Sequence, residues 1–288
     1  MRSLLFVPGH DARKLAKGLD CGADALIVDL EDSVPDAEKA RARGVAAEFV
    51  AANRDRLPLY VRVNALATGL TLDDLSAVVR AQPYGIMLPK CGSGGDVARV
   101  GAYLSELEAK DGVSAGSLRI LPIVTETAAA LFEMGSYARD AGPRLSGMMW
   151  GGEDLATDIG ASSNRADGRY TPPFELARSL CLFGATAAGV TAVDSVYTDF
   201  RDVEGLREEA RAAVVAGFGA KAAIHPGQVQ PINEVFTPSD DALQEATAIV
   251  AAFAQQPGAG AVNMGGRMFD RPHLTAAQRV LARAKQRR

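Results

Sequence analysis

The sequence predicts an α/β fold, a (β/α)8 TIM barrel with a C-terminal helical extension, on three observations. Eight short apolar segments alternate with helical patterns along 288 residues, a length that suits one α/β barrel or two medium domains. Three of those segments, Ala25-Leu26-Ile27-Val28-Asp29-Leu30-Glu31-Asp32, Ile120-Leu121-Pro122-Ile123-Val124-Thr125-Glu126 and Met148-Met149-Trp150-Gly151-Gly152-Glu153-Asp154, pass abruptly from apolar to acidic. That is the pattern of a strand buried on both faces that emerges into a polar site. Strands alternating with helices run parallel, and eight of them close naturally into a barrel; an open doubly wound sheet is the alternative.

The elements follow in order. Strands are expected near 2–7, 25–30, 59–63, 85–89, 119–124, 147–151, 190–193 and 221–224, and helices over 11–21, 36–52, 71–82, 95–110, 127–141, 173–184 and 205–217. Met1-Arg2-Ser3-Leu4-Leu5-Phe6-Val7 resembles a signal peptide superficially, but its apolar run is short and meets Pro8-Gly9 at once, so it reads as the first strand. Asp36 and Thr71 each stand where a helix-capping residue belongs. The stretch from Gly151 to Pro173 is too long for a routine βα turn and is expected to form a lid or substrate loop above the mouth. Residues 1–235 form the barrel on this reading, and residues 236–288 form an extension. In that extension 239–255 reads as a helix, Gln256-Pro257-Gly258-Ala259-Gly260 breaks it, and a final basic helix follows.

Composition narrows the function. Apolar residues make up 48% and charged residues 23%, enough for a large core, and the net charge of −4 argues against a general nucleic-acid binder. No segment approaches the roughly 20 apolar residues of a membrane helix. Cys21, Cys91 and Cys181 are odd in number and lack C-x-x-C spacing, which suggests neither a disulfide framework nor a zinc site and fits a reducing cytoplasm.

The candidate site gathers at the strand ends. Glu126 and Asp154 offer two hard oxygen ligands from separate strands, leaving positions for water and substrate as Mg²⁺ favours; either acid could equally cap a following helix. Arg62, in Tyr60-Val61-Arg62-Val63-Asn64, cannot escape burial by deprotonation, so it pairs with Glu31 or Asp32 or clamps a substrate oxygen. Lys90 sits at another strand end, where an ion pair with a neighbouring acid is the plain account. Arg13 and Lys17 share a face of the first helix, where they are solvated or hold a phosphate tail. Cys91-Gly92-Ser93-Gly94-Gly95-Asp96 lacks the full dinucleotide and P-loop patterns, and nothing nearby supplies a base for Cys91. Asp270 is a helix cap or an acid/base carried by the tail.

Leu5-Phe6-Val7-Pro8-Gly9, Asp29-Leu30-Glu31-Asp32-Ser33-Val34, Val61-Arg62-Val63-Asn64, Leu88-Pro89-Lys90, Glu126-Thr127, Gly152-Glu153-Asp154-Leu155, Ile224-His225-Pro226 and Met268-Phe269-Asp270-Arg271-Pro272 together resemble the citrate lyase β-subunit and malyl-CoA lyase family. The resemblance implies a phosphoenolpyruvate-type barrel with Mg²⁺ on Glu126 and Asp154, substrate contacts from Arg62, and coenzyme A contacts from Phe6, Arg13 and Lys17. It also implies that Asp270 is an acid/base donated by an adjacent subunit of a homo-oligomer, a trimer or hexamer. The implied activity is Mg²⁺-dependent cleavage of malyl-, citramalyl- or citryl-CoA to acetyl-CoA and a 2-oxo acid. The alternatives are a (3S)-malyl-CoA thioesterase, a citrate lyase β subunit that depends on a carrier protein, and a non-catalytic acyl-CoA-binding paralogue.

Overall fold

A computed structural model describes residues 1–285. The chain divides into two compact units, Met1–Asn233 and Glu234–Arg288.

In the first unit eight parallel strands form one sheet: β1 (Ser3–Pro8), β2 (Ala25–Asp29), β3 (Leu59–Arg62), β4 (Gly85–Leu88), β5 (Arg119–Pro122), β6 (Gly147–Met149), β7 (Thr191–Asp194) and β8 (Ala220–Ala223). β1 lies between β2 and β8, and β8 pairs β7, which pairs β6. Parallel bridges Ile120–Leu145 and Ile123–Met149, with Val124 N–H donating to Met149 O at 2.8 Å, join β5 to β6, so the sheet wraps into a barrel rather than lying open.

Alternation along the strands fills it. Leu4, Ala25, Ile27, Tyr60, Met87, Leu121, Ile123, Met149, Val193, Ala220 and Ala222 form one packed interior cluster. Strand side chains change face at every residue, so two residues further along, Phe6, Asp29, Arg62 and Ile224 point inward as the next layer at the carboxyl-terminal mouth. Four helices follow the first four strands: α1 (Ala12–Leu19), α2 (Lys39–Asn53), α3 (Thr71–Val78) and α4 (Gly94–Asp111). Asp11 caps α1 by accepting from the N–H groups of Arg13 and Lys14, both at 3.0 Å.

Two capping expectations fail. Asp36 lies inside a 3₁₀ turn, Asp36–Glu38, whose cap position is Pro35, and the cap position of the helix that follows is Glu38. At α3 the cap position is Leu70, while the Thr71 hydroxyl donates to Asn64 O at 2.9 Å. Asp74 of that helix is buried and accepts from Asn64 Nδ2 and Arg43 Nε, both at 2.7 Å, so long-range partners take the polar groups that local spacing would have assigned to caps.

The single helix expected over 127–141 is broken into α5 (Ala128–Phe132), a 3₁₀ turn at Met134–Ser136 and α6 (Tyr137–Asp140). Ser136 is the cause, donating to Glu133 O at 2.6 Å and accepting from Gly94 N–H at 2.8 Å. A Cβ on Gly94 would lie 2.5 Å from Ser136 O, so this glycine serves close packing of the α4 start rather than a phosphate. The long stretch after β6 contains α7 (Glu153–Asp158) and a two-residue ladder between Arg165–Ala166 and Arg169–Tyr170, whose turn residues Asp167 and Gly168 have φ of 50° and 76°. α8 (Pro172–Ala187) and α9 (Val203–Ala216) complete the crossovers.

Helix α10 (Val229–Phe236) carries the chain out of the first unit and was not anticipated. Its signal is the buried spacing Val229, Ile232, Phe236, which Pro231 obscures. In the second unit α11 (Asp240–Gln255) is capped by Ser239, and β9 (Ala261–Met264) pairs antiparallel with β10 (Arg267–Asp270) ahead of α12 (Arg271–Lys285). Ala246, Ile249, Phe253, Val262, Phe269 and Ala277 give this unit its own small core. Among the described residues no helix is long and apolar enough to cross a membrane.

Candidate active site

A cavity of about 420 Å³ opens at the carboxyl-terminal mouth of the barrel, lined by Phe6, Asp29, Asp32, Arg62, Glu126, Glu153, Asp154, Ser195, Val196 and Ile224 among others. This is where active sites of parallel barrels sit, because each strand delivers its next residue there. Four of the expected residues meet in it: Phe6, Arg62, Glu126 and Asp154.

Arg62 is held from three sides. Its Nε and Nη2 donate to the two oxygens of Asp29, each at 2.7 Å, as a bidentate fork; Nη1 donates to Asp32 at 3.4 Å and lies 2.9 Å from Glu31 Oε2. Its guanidinium lies over the Phe6 ring, 5.0 Å from the centroid. The ion-pair reading is therefore realised, with Asp29 as the main partner where Glu31 or Asp32 was expected. Asp29 and Arg62 are register partners across β2 and β3, which places the acid directly beside the base. Burial would raise the Asp29 carboxyl, but Arg62 outweighs it and holds the group below the usual carboxylate range. Three of the five guanidinium N–H groups are engaged in these hydrogen bonds.

Glu126 is 4% exposed and accepts a hydrogen bond on Oε2 from the backbone N–H of Lys90. Burial pushes its carboxyl up to about 8, with the nearby Asp154 and Glu31 charges adding to the rise. Gly151 makes room for it, since a Cβ there would sit 3.1 Å from Glu126 Cγ. Asp154 stands in the first turn of α7, and Lys90 Nζ lies 3.4 Å from its Oδ1 and 2.8 Å from Glu31 Oε1. The plain account of Lys90 as an acid-paired cation is thus correct, but its partners include a proposed metal ligand. Neighbouring Glu153 accepts from Asn164 Nδ2 at 2.8 Å and was not singled out by sequence, although it adjoins Asp154.

The donor set suits a hard divalent cation. Glu126 and Asp154 offer carboxylate oxygens to one acid-rich cavity, and Glu126 is buried where only a counter-ion would keep it charged. Among the described residues no group of three or more His, Cys, Asp and Glu could hold a metal, so two carboxylates with water and substrate oxygens are the chemistry available here.

Other expected residues lie elsewhere. Arg13 and Lys17 are exposed on α1 and do not line the cavity. Cys91 is buried and its thiol is pushed up to about 12 by burial, which leaves it unsuited to be a nucleophile. In the second unit Asp270 is exposed and sits 2.5 Å from His273 Nδ1, whose hydrogen bond holds the carboxyl below the usual range. His273 was missed by sequence reading, although its spacing three residues on, across the helix start, is the available signal.

The family model described as HpcH/HpaI aldolase/citrate lyase matches residues 2–226. A (3S)-malyl-CoA thioesterase of Cereibacter sphaeroides is 35% identical over 290 residues, covering 99% of this chain and 94% of that protein. A mitochondrial citramalyl-CoA lyase of Mus musculus is 34% identical over 295 residues, covering 98% and 86%. The solved structure of protein CitE from Mycobacterium tuberculosis in complex with magnesium, acetoacetate and coenzyme A superposes with a TM-score of 0.80 at 35% identity, covering 99% of this chain and 98% of that one.

Proposed function

The chain belongs to the HpcH/HpaI aldolase/citrate lyase family, and on that premise we propose that it is a Mg²⁺-dependent carbon–carbon lyase. Its substrate is a short 3-hydroxy dicarboxyl- or tricarboxyl-CoA thioester of the malyl-, citramalyl- or citryl-CoA class, cleaved to acetyl-CoA and a 2-oxo acid. The observation that carries this reading is the meeting of Glu126, Asp154 and Arg62 in one cavity at the barrel mouth.

Cleavage takes the proton from the 3-hydroxyl, turns that carbon into the carbonyl of the 2-oxo acid, and leaves the electron pair of the broken carbon–carbon bond on the thioester's α-carbon. Protonation of that carbon completes acetyl-CoA. Glu126 and Asp154 would hold Mg²⁺, which would supply Lewis-acid polarisation of substrate oxygens. Arg62, fixed by Asp29 and the Phe6 ring, presents a positive charge to oxygens that gain negative charge, at little reorganisation cost because its geometry is already set. Phe6 walls the cavity, while Arg13 and Lys17 offer exposed cations to the phosphates of the coenzyme A tail. Asp270 exchanges the proton of the acetyl methyl group and acts across the interface of a homo-oligomer, a trimer or hexamer. The three free thiols suit a cytoplasmic setting.

One other reading has a specific observation behind it: the 35% identical relative named as a malyl-CoA thioesterase. A Mg²⁺ titration with malyl-, citramalyl- and citryl-CoA, reading acetyl-CoA and free CoA, separates the two. Acetyl-CoA with the matching keto acid, lost on EDTA, supports the lyase. Free CoA without acetyl-CoA would replace it with the hydrolase.

A further inference from the structure

We infer that Lys90 is a resident competitor for the metal site, a positioning residue whose ammonium occupies Asp154 while its backbone fixes Glu126. It thereby sets how tightly the divalent cation binds. The inference rests on the proposed reading of Glu126 and Asp154 as metal ligands.

Lys90 follows β4 and Pro89 with φ of 48°, a left-handed conformation that non-glycine residues seldom adopt and that persists only where the surroundings over-determine it. Here they do. The backbone N–H donates to Glu126, and Nζ lies 2.8 Å from Glu31, 3.4 Å from Asp154 and 3.8 Å from Asp32. One residue therefore ties together carboxylates at the ends of β2 and β5 and in the first turn of α7. Arg62, the neighbouring cation, is committed to Asp29, Glu31 and Asp32, so the ammonium of Lys90 is the counter-ion that Asp154 meets.

A divalent cation on Asp154 must displace that ammonium or sit beside it. A doubly charged ion about 5 Å from a single charge, screened as in bulk water, is opposed by an amount corresponding to about tenfold in affinity. The side chain is 33% exposed, which is why the solvent-screened figure is the appropriate one. In return, Lys90 relieves repulsion among the acids when no metal is bound.

The left-handed backbone makes the test clean. Lys90→Gly suits the conformation and retains the N–H that bonds Glu126 while removing the whole side chain, and Lys90→Met, which keeps an apolar stem, isolates the loss of the ammonium. Mn²⁺ binding followed by electron paramagnetic resonance should tighten about tenfold in Lys90→Gly and similarly in Lys90→Met, while Lys90→Arg, which keeps a cation, should stay near wild type. The rise in melting temperature on adding Mg²⁺ should be larger for Lys90→Gly than for wild type. Unchanged or weaker Mn²⁺ binding in a folded Lys90→Gly would overturn the inference. Asp154→Asn distinguishes this failure from failure of the metal reading: if wild type and Asp154→Asn bind Mn²⁺ alike, the metal assignment falls and takes the role of Lys90 with it.

Discussion

Lowering the pH from 8 to 6 should weaken Mn²⁺ binding about fiftyfold, because Glu126 has to give up a proton to become a ligand. Its side chain is 4% exposed, and burial pushes its carboxyl up to about 8 from an ordinary 4.5, against the opposing backbone hydrogen bond and ammonium charge of Lys90. At that value about half of the carboxyl is ionised at pH 8 and about 1% at pH 6, whereas a solvated glutamate would be ionised throughout. The same shift has a sign for stability. A folded-state value raised above the unfolded one means that this group's contribution is fully present below about pH 4.5 and is lost as pH rises through about 8. The metal-free protein should therefore melt at lower temperature as pH goes from 5 to 8, and Mg²⁺ should restore more at the alkaline end. Calorimetric Mn²⁺ titrations at pH 6, 7 and 8, with melting curves alongside, test both, and Glu126→Gln should remove this part of the metal-free melting trend. A change in Mn²⁺ affinity of less than about twofold across that range would refute the argument that burial, rather than solvation, governs Glu126.

Three further outcomes are expected. Asp270→Ala should lose about 10²- to 10⁴-fold in turnover while its melting temperature holds, since a positioned acid/base contributes that much and the side chain is exposed; full activity would make the tail structural. Arg62→Met should cost about 3–5 kcal/mol in denaturant unfolding, because it strands Asp29 at 2% exposure, with Arg62→Lys falling between it and wild type for want of the bidentate fork. Gly94→Ala should cost about 1–3 kcal/mol in a thermal melt, as its Cβ would meet Ser136 O at 2.5 Å, and should leave Mn²⁺ affinity unchanged.

The sequence by itself determined the parts of this protein that follow from periodicity and from the abrupt ends of apolar runs. All eight strands lie where short buried segments were expected, and the acids that close three of those segments point to the mouth where Glu126 and Asp154 meet. The motif order from Phe6 to Asp270 also carried the family. Tertiary structure decided what depends on partners distant in the chain. Asp29, Glu31 and Asp32 look alike as text, and only the register of β2 against β3 gives Asp29 both arms of the Arg62 fork. Thr71 looks like a cap until Asn64 O claims its hydroxyl, and Ser136 interrupts a helical pattern because Gly94 packs against it. Lys90 reads as an acid-paired cation at a strand end, and only the fold shows that its left-handed backbone turns its N–H toward Glu126 while its ammonium reaches Asp154. The physical reason is range. Helix and strand periods are written within a few neighbouring residues, whereas the pairing of a polar group and the charge it carries depend on burial and on carboxylates that only the closed barrel brings together.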